Sequence, residues 1–433
     1  MVMPRLEGWR GGVGERAEAF RLDLISAFWI LTTFELDLFL AATIGGPFYR
    51  IPLFLAAVLG LRILYQIEKR VVYWPLIVFA LLHLGASLLA ENAGLSRDAL
   101  TFMVYMLILF SGSVAFLDSP SRVIGVLKLY LLSFAWYGLQ GIPSGRVGWH
   151  PLLANEDSYG PLMVMAMAFS YFFAQATSSA RWRWLARGMF LLSVLGVVAS
   201  LARGACVAAG VVLLFILLRS PNKAKALAGL ALATIVLLPV AAMIVPLDAY
   251  VGEIRSISEG DEGRIAVWKM AWNVFLESPV YGVGAFNFGV VAAKVTSFEA
   301  ARAVKSDPAQ LYSHGVHNLY LQILAEEGLI GVALWFAMIV GFFRRNGRLR
   351  KGDARARWAA RGGRDMDLRM VSFGLEGAMM GYLACSIFYN QLYIHWFWSL
   401  LTISYVLAEL TGPTREGTKG QVSGHASEVR AKT

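Results

Sequence analysis

Apolar runs of membrane-spanning length recur along almost the whole chain, and no other feature limits its fold so strongly. A helix crosses the hydrocarbon core of a bilayer with about 20 apolar residues. Runs near that length lie at 22–44, 51–66, 71–90, 99–117, 122–141 and 159–177, and again at 184–201, 203–219, 225–247, 322–343, 370–389 and 393–411. Charged residues cluster between the runs and make up only 16% of the 433, against about 25% in soluble domains. Together with a mean hydropathy of +0.58, this excludes a soluble globular enzyme. The expectation is an all-α membrane protein of about twelve transmembrane helices, with one long outer loop containing short amphipathic helices.

The chain has 39 Lys and Arg against 29 Asp and Glu. In a polytopic chain such an excess is a topology signal before it is a nucleic-acid signal, so the expected partners are membrane lipids and no nucleic acid. With the N-terminus inside, 29 of the 39 basic residues fall in inner segments and 10 in outer ones. Both ends are therefore expected inside. Segment 1–21 lacks the apolar core of a cleavable signal, residues 22–247 hold nine spans, and 248–316 form the outer loop. Residues 317–411 hold three more spans, interrupted by a basic inner loop at 344–369 that anchors topology and touches anionic lipid, and 412–433 form a disordered tail. Splitting 184–219 into a hairpin keeps the basic stretches Arg181–Arg187 and Arg219–Lys225 on one face and puts Arg203 at the outer tip. Cys206 and Cys385 fall inside apolar runs, which leaves no disulfide framework and no Cys-based zinc site.

The outer loop, 69 residues long, is where function concentrates. From Gly263 to Glu277, Ile265, Trp268, Trp272, Phe275 and Leu276 recur at helical spacing, which predicts an amphipathic helix in the outer interface, ended by Pro279 and the glycines at 282, 284 and 289.

Few polar residues face outward. Arg203, flanked by apolar residues, is either an arginine snorkelling to the interface or part of an anion site, for which its planar fork is suited. Arg264 is expected to open the loop helix, where free amides favour anions; the alternative is a surface pair with Asp261 or Glu262. His317 stands in Ser-His-Gly-Val-His-Asn-Leu-Tyr, residues 313–320, where the loop enters the tenth span. It is either a capping or hydrogen-bonded interfacial histidine or a proton acceptor. Continued as a helix, the chain would put Gly328 and Gly331 within about 20° and 40° of His317 and floor a groove beneath it. Asn155, Glu156 and Asp157, before the sixth span, could hold an acceptor or pair with an arginine. Glu35 and Asp37 in the first span call for a partner that the sequence does not name. Gly282-Val-Gly284 lacks the spacing and context of a dinucleotide-binding turn, and Asp365-Met-Asp367 lies inside, between Arg364 and Arg369, where ion pairing explains it.

At His317 the chain resembles the bacterial O-antigen ligase and polymerase family. His317-Asn318, nine residues, then Gly328-Leu-Ile-Gly331 is similar to that family's His-Asn, nine-residue, Gly-x-x-Gly signature. Ser200-Leu-Ala-Arg203-Gly204 resembles its Ser-x-x-Arg-Gly hairpin, the stretch from Gly263-Arg264 through Trp268 to Gly284 resembles its outer helix and turn, and Asn155 through Tyr159 is similar to its segment before the sixth span. The resemblance covers about residues 150–400. It implies a metal-independent glycosyltransferase without cofactor, multi-pass in the bacterial inner membrane, with its active site facing the periplasm. The implied donor is a glycan on undecaprenyl diphosphate and the implied acceptor is lipid A core or another glycan. Arg203 and Arg264 would hold the diphosphate and His317 would activate the acceptor. Asn318, His314, Gly328, Gly331, Asn155, Glu156 and Asp157 would support them.

The complete signature is the one associated with the ligase; a polymerase of O-antigen or exopolysaccharide, or a relative that glycosylates protein, shares most of it. A twelve-span glycan-lipid transporter or flippase commonly shows two related halves, which would place the long connection after the sixth span and not after the ninth. A non-catalytic scaffold would need the arginines but not His317.

Overall fold

In the computed structural model of the chain, residues 23–45, 50–65, 74–244, 257–295 and 315–412 are described. The described residues are helical throughout, with one isolated bridge between Thr177 and Met366. Helices follow the apolar runs closely: α1 (Leu24–Phe34), α2 (Leu36–Ile44), α3 (Arg50–Tyr65), α4 (Trp74–Leu89), α5 (Ala93–Phe116) and α6 (Pro120–Gly141) lead to α7 (Glu156–Ala176), α8 (Ala180–Ala199), α9 (Arg203–Arg219) and α10 (Lys223–Ile244). The long stretch after α10 contributes α11 (Ile257–Glu277) and α12 (Phe288–Val295), and the chain continues through α13 (Leu319–Leu349), α14 (Gly352–Ala360), α15 (Leu368–Cys385) and α16 (His395–Thr411). Among the described residues four helices, α5, α6, α8 and α13, are long and apolar enough to cross a membrane on their own, and α1 with α2 makes a fifth if taken as one bent span.

The core is built around α7. Every residue from Tyr159 to Ser170 is buried, the signature of a helix apolar on all sides and surrounded by others. α8, α9 and α15 pack against it. α15 comes close because it carries glycine where the backbones meet: a Cβ at Gly377 would lie 2.7 Å from that of Ala168, and one at Gly381 2.9 Å from Val164.

The first span is broken. α1 and α2 meet at 58° with Glu35 in the left-handed region at φ 43°, although neither glycine nor proline marks the place. The Glu35 carboxylate supplies the partners that the sequence left open: it pairs with His150 and, at 3.3 Å, with His395, and accepts from the Tyr137 hydroxyl at 3.5 Å.

The basic stretch at 344–369 is partly structural. Arg357 and Arg361 donate to the carbonyls of Thr411 and Leu410 at 2.6 and 2.7 Å, so they cap the C-terminus of α16, where cations are favoured. Asp367 caps α15 by accepting from the Arg369 amide at 2.8 Å, which accounts for one half of Asp365-Met-Asp367 by capping and not by ion pairing.

Candidate active site

Three stretches that are distant in sequence meet at the N-terminal end of α7. The first is the start of α7 itself, where the Asn155 side chain accepts from the Asp157 amide at 2.9 Å and so fixes the first turn. The second is the α8–α9 hairpin, in which Leu201 adopts φ 55° and Arg203 becomes the first residue of α9. The hairpin lies against α7 because Gly160 leaves it room: a Cβ there would fall 2.8 Å from the Ser200 hydroxyl. The third is the approach to α13. His317 stands at φ 50°, and Asn318 caps the helix by accepting from the Leu321 amide at 3.0 Å.

Asp157 and His317 come together across this junction. His317 Nδ1 lies 3.6 Å from Asp157 Oδ2, with side chains 39% and 27% exposed. That is beyond a hydrogen bond but within reach of charge pairing, and it leaves Nε2 as the ring nitrogen turned away from the carboxylate.

The turn after α15, from Ser386 to Asn390, joins the three stretches; the expected span at 370–389 ran through Ser386 to Tyr389, but the helix ends at Cys385. The Ser386 carbonyl accepts from the Leu319 amide at 2.8 Å. Phe388 packs on the hairpin, where a Cβ at Gly204 would lie 2.7 Å from its own. Tyr389 is 2% exposed; burial holds its phenol above the usual range, and the Asp157 charge pushes the same way, opposed by Arg264 and the backbone at Ala205. Asn390 accepts from the Asn318 amide at 3.1 Å. The turn therefore brings Asp157, Arg264, His317 and the hairpin of Arg203 into one neighbourhood. Its signal in the sequence was the run Tyr389-Asn390-Gln391, polar and aromatic residues between two apolar runs.

Two expectations are corrected. Arg264 does not open the loop helix: α11 starts at Ile257, which leaves Arg264 two turns inside, half-buried. The residue that does begin a helix is Arg203, so the argument from free amides and the helix dipole transfers to it.

The second correction concerns the glycines. His317 lies before α13, and Gly328 breaks that helix with φ 64° and ψ −167°, so helical periodicity does not carry from one to the other and there is no glycine-floored groove beneath His317. Gly328 meets a different neighbour. The turn from Pro279 to Gly284 docks into the break, with Leu329 and Ile330 amides donating to the Pro279 and Val280 carbonyls at 2.9 and 3.2 Å. In return, Val283 and Gly284 amides donate to Ala325 and Glu326 at 3.0 and 2.9 Å. A Cβ at Gly328 would lie 2.5 Å from the Val280 carbonyl carbon, and one at Gly282 would strike the backbone of Glu326. A Cβ at Gly331 would strike that of Glu327. Gly282 and Gly328, one from each motif, thus serve one joint, which ties α11, and with it Arg264, to α13, whereas a Cβ at Gly284 would meet Ala86 of α4 and Ala90 just after it.

The joint is reinforced by a second small core in which Val267, Met270, Ala271 and Val274 of α11 pack with Phe288 and Val291 of α12 and with Val316 and Ala325. Trp268 packs against this core, whereas Trp272 is 49% exposed on the opposite side. Of the remaining site candidates, Glu156 is the first residue of α7, Asn155 is exposed, and His314 lies outside the described residues.

No curated protein matches the chain. Residues 188–336 match the family model described as O-antigen ligase, a stretch that contains Arg203, Arg264, His317 and both glycines of the Gly-x-x-Gly pair. That match, over about a third of the chain, takes in the hairpin, the loop helix and the entry to α13, and over this stretch the chain is similar to the O-antigen ligase family.

Proposed function

We propose that the chain is an inverting glycosyltransferase of the bacterial inner membrane, which moves a glycan from undecaprenyl diphosphate to an acceptor hydroxyl at the periplasmic face, and that it is an O-antigen ligase acting on lipid A core. The observation that carries the reading is the Asp157–His317 pair beside the stretches that bear Arg203 and Arg264. In this reading twelve spans, the first of them bent at Glu35, put both termini in the cytoplasm and α11 and α12 outside.

The chemistry follows from the groups. The acceptor oxygen attacks the anomeric carbon as its proton passes to His317 Nε2, and the bond from that carbon to the diphosphate oxygen breaks. Asp157 favours the ring orientation in which Nε2 faces the acceptor and stabilises the imidazolium formed. The leaving diphosphate keeps the bonding electrons, and Arg203 and Arg264 balance its charge without a metal. A non-catalytic scaffold has no use for the proton acceptor.

Purified protein with lipid-linked donor and lipid A core tests the reaction. His317→Ala is expected to bind donor but transfer nothing, and His317→Gln to fail as well, because an amide accepts no proton. Transfer retained in His317→Gln overturns the role of His317 as base. Deleting the gene tests the acceptor: loss of long glycan from lipopolysaccharide with lipid-linked polymer persisting supports the ligase, whereas lipopolysaccharide carrying a single repeat unit identifies a polymerase.

A further inference from the structure

The backbone on either side of His317 is fixed by contacts from other segments. The His317 side chain is 39% exposed, and its backbone occupies the left-handed region at φ 50°, which residues other than glycine adopt only when the surroundings impose it. What imposes it here is the hydrogen bonding of the next amides. Those of Leu319 and Leu321 are taken by the Ser386 carbonyl and the Asn318 side chain, at 2.8 and 3.0 Å. The first in line, that of Asn318, donates to Asn390 Oδ1 at 3.1 Å. The same Asn390 presses its amide nitrogen on the chain before the histidine, since a Cβ at Gly315 would strike Nδ2. Asn390 therefore touches the backbone on both sides of His317, from an element that belongs to neither the hairpin nor the outer loop.

The geometry points to Asn390 as the positioning residue for the proton acceptor: its side-chain oxygen, by holding the Asn318 amide, keeps His317 in the one backbone conformation that aims the ring at Asp157. This rests on the reading of His317 as the base. Asn390 touches no substrate group in that account; it sets where the imidazole stands. A base displaced by about 1 Å loses about a hundredfold in rate, while donor binding, supplied by Arg203 and Arg264, is untouched.

The test compares Asn390→Ala, Asn390→Asp and His317→Ala in the purified full-length chain with lipid-linked donor and acceptor. Asn390→Ala is expected to lower kcat by about a hundredfold with the KM for donor unchanged. Asn390→Asp, whose carboxylate oxygen accepts the same bond, is expected to restore most of that loss. Wild-type kcat in Asn390→Ala overturns the proposal. So does an Asp variant as slow as the Ala variant, which would assign the effect to packing on Gly315. If Asn390→Ala does not fold, Asn390→Gln decides: its oxygen is one methylene out of place, so kcat falls on this account, and wild-type kcat overturns it. His317→Ala separates the two failures. Transfer that survives in it removes the base itself, whereas an inactive His317→Ala beside a fully active Asn390→Ala removes only the role of Asn390.

Discussion

Replacing Gly328 with alanine tests the joint between the outer loop and α13 at its tightest point. The residue sits at φ 64° and ψ −167°, a region open essentially to glycine alone, where another residue costs about 1–3 kcal/mol. The new methyl group would also lie 2.5 Å from the Val280 carbonyl carbon, and a backbone atom has no rotamer by which to retreat. If the turn backs away, the bonds from Leu329 and Ile330 to Pro279 and Val280 open, at about 0.5–1.5 kcal/mol each. The expected cost is about 2–6 kcal/mol, enough to undock α11 and carry Arg264 away from Tyr389. Gly328→Ala should therefore insert and purify, melt earlier, bind lipid-linked donor weakly and transfer at least tenfold more slowly. Gly210→Ala on α9 is the control, because a Cβ there has no atom within 4 Å. Gly328→Ala with the melting temperature and transfer rate of the parent would refute the account of the joint.

Arg203→Lys and Arg264→Lys keep the charge but lose the fork, and each should cut transfer by about ten- to a hundredfold while folding persists; parental turnover in both would make these arginines structural. Asp157→Asn should slow transfer, and because it removes a negative charge beside the imidazole it should also move the rise of activity with pH to lower pH. With both side chains partly exposed such a pair is worth about 0.2–1 kcal/mol, so the shift should be a few tenths of a pH unit; a shift to higher pH would contradict the pairing. A cysteine placed at the exposed Glu277 should react with an impermeant reagent from the periplasmic side, and reaction only after the inner membrane is permeabilised would reverse the topology.

The helices on the apolar runs were legible because a bilayer demands such runs, whereas the break at Glu35 and the short α14 in the basic stretch were not. The family motifs were legible as residue patterns, but their geometry was not. Periodicity assumes one unbroken helix, and it failed at His317 and Gly328, where the backbone turns left-handed. The start of α11 was missed because Ile257 to Gly263, with Glu259, Asp261 and Glu262, shows no apolar stripe. Glu35 could be marked as needing a partner, yet His150 and His395 come from 115 and 360 residues away, a separation that no local pattern encodes. Tyr389 and Asn390 escaped for a similar reason: their work is done on the backbones of other segments, which leaves no spacing rule to follow.

Because the joint at Gly328 is made by main-chain groups from both sides, it places little demand on the side chains around it. Val280, Tyr281, Leu329 and Ile330 remain 52%, 48%, 54% and 42% exposed, so their identities can change while the seam stays closed, provided the glycines persist. The outer loop is in this sense a cartridge with a sequence-blind socket. Exchanging the stretch from α11 to the end of α12 for that of a relative carrying the same glycines would change the exposed surface of this unit while the main-chain joint to α13 is kept.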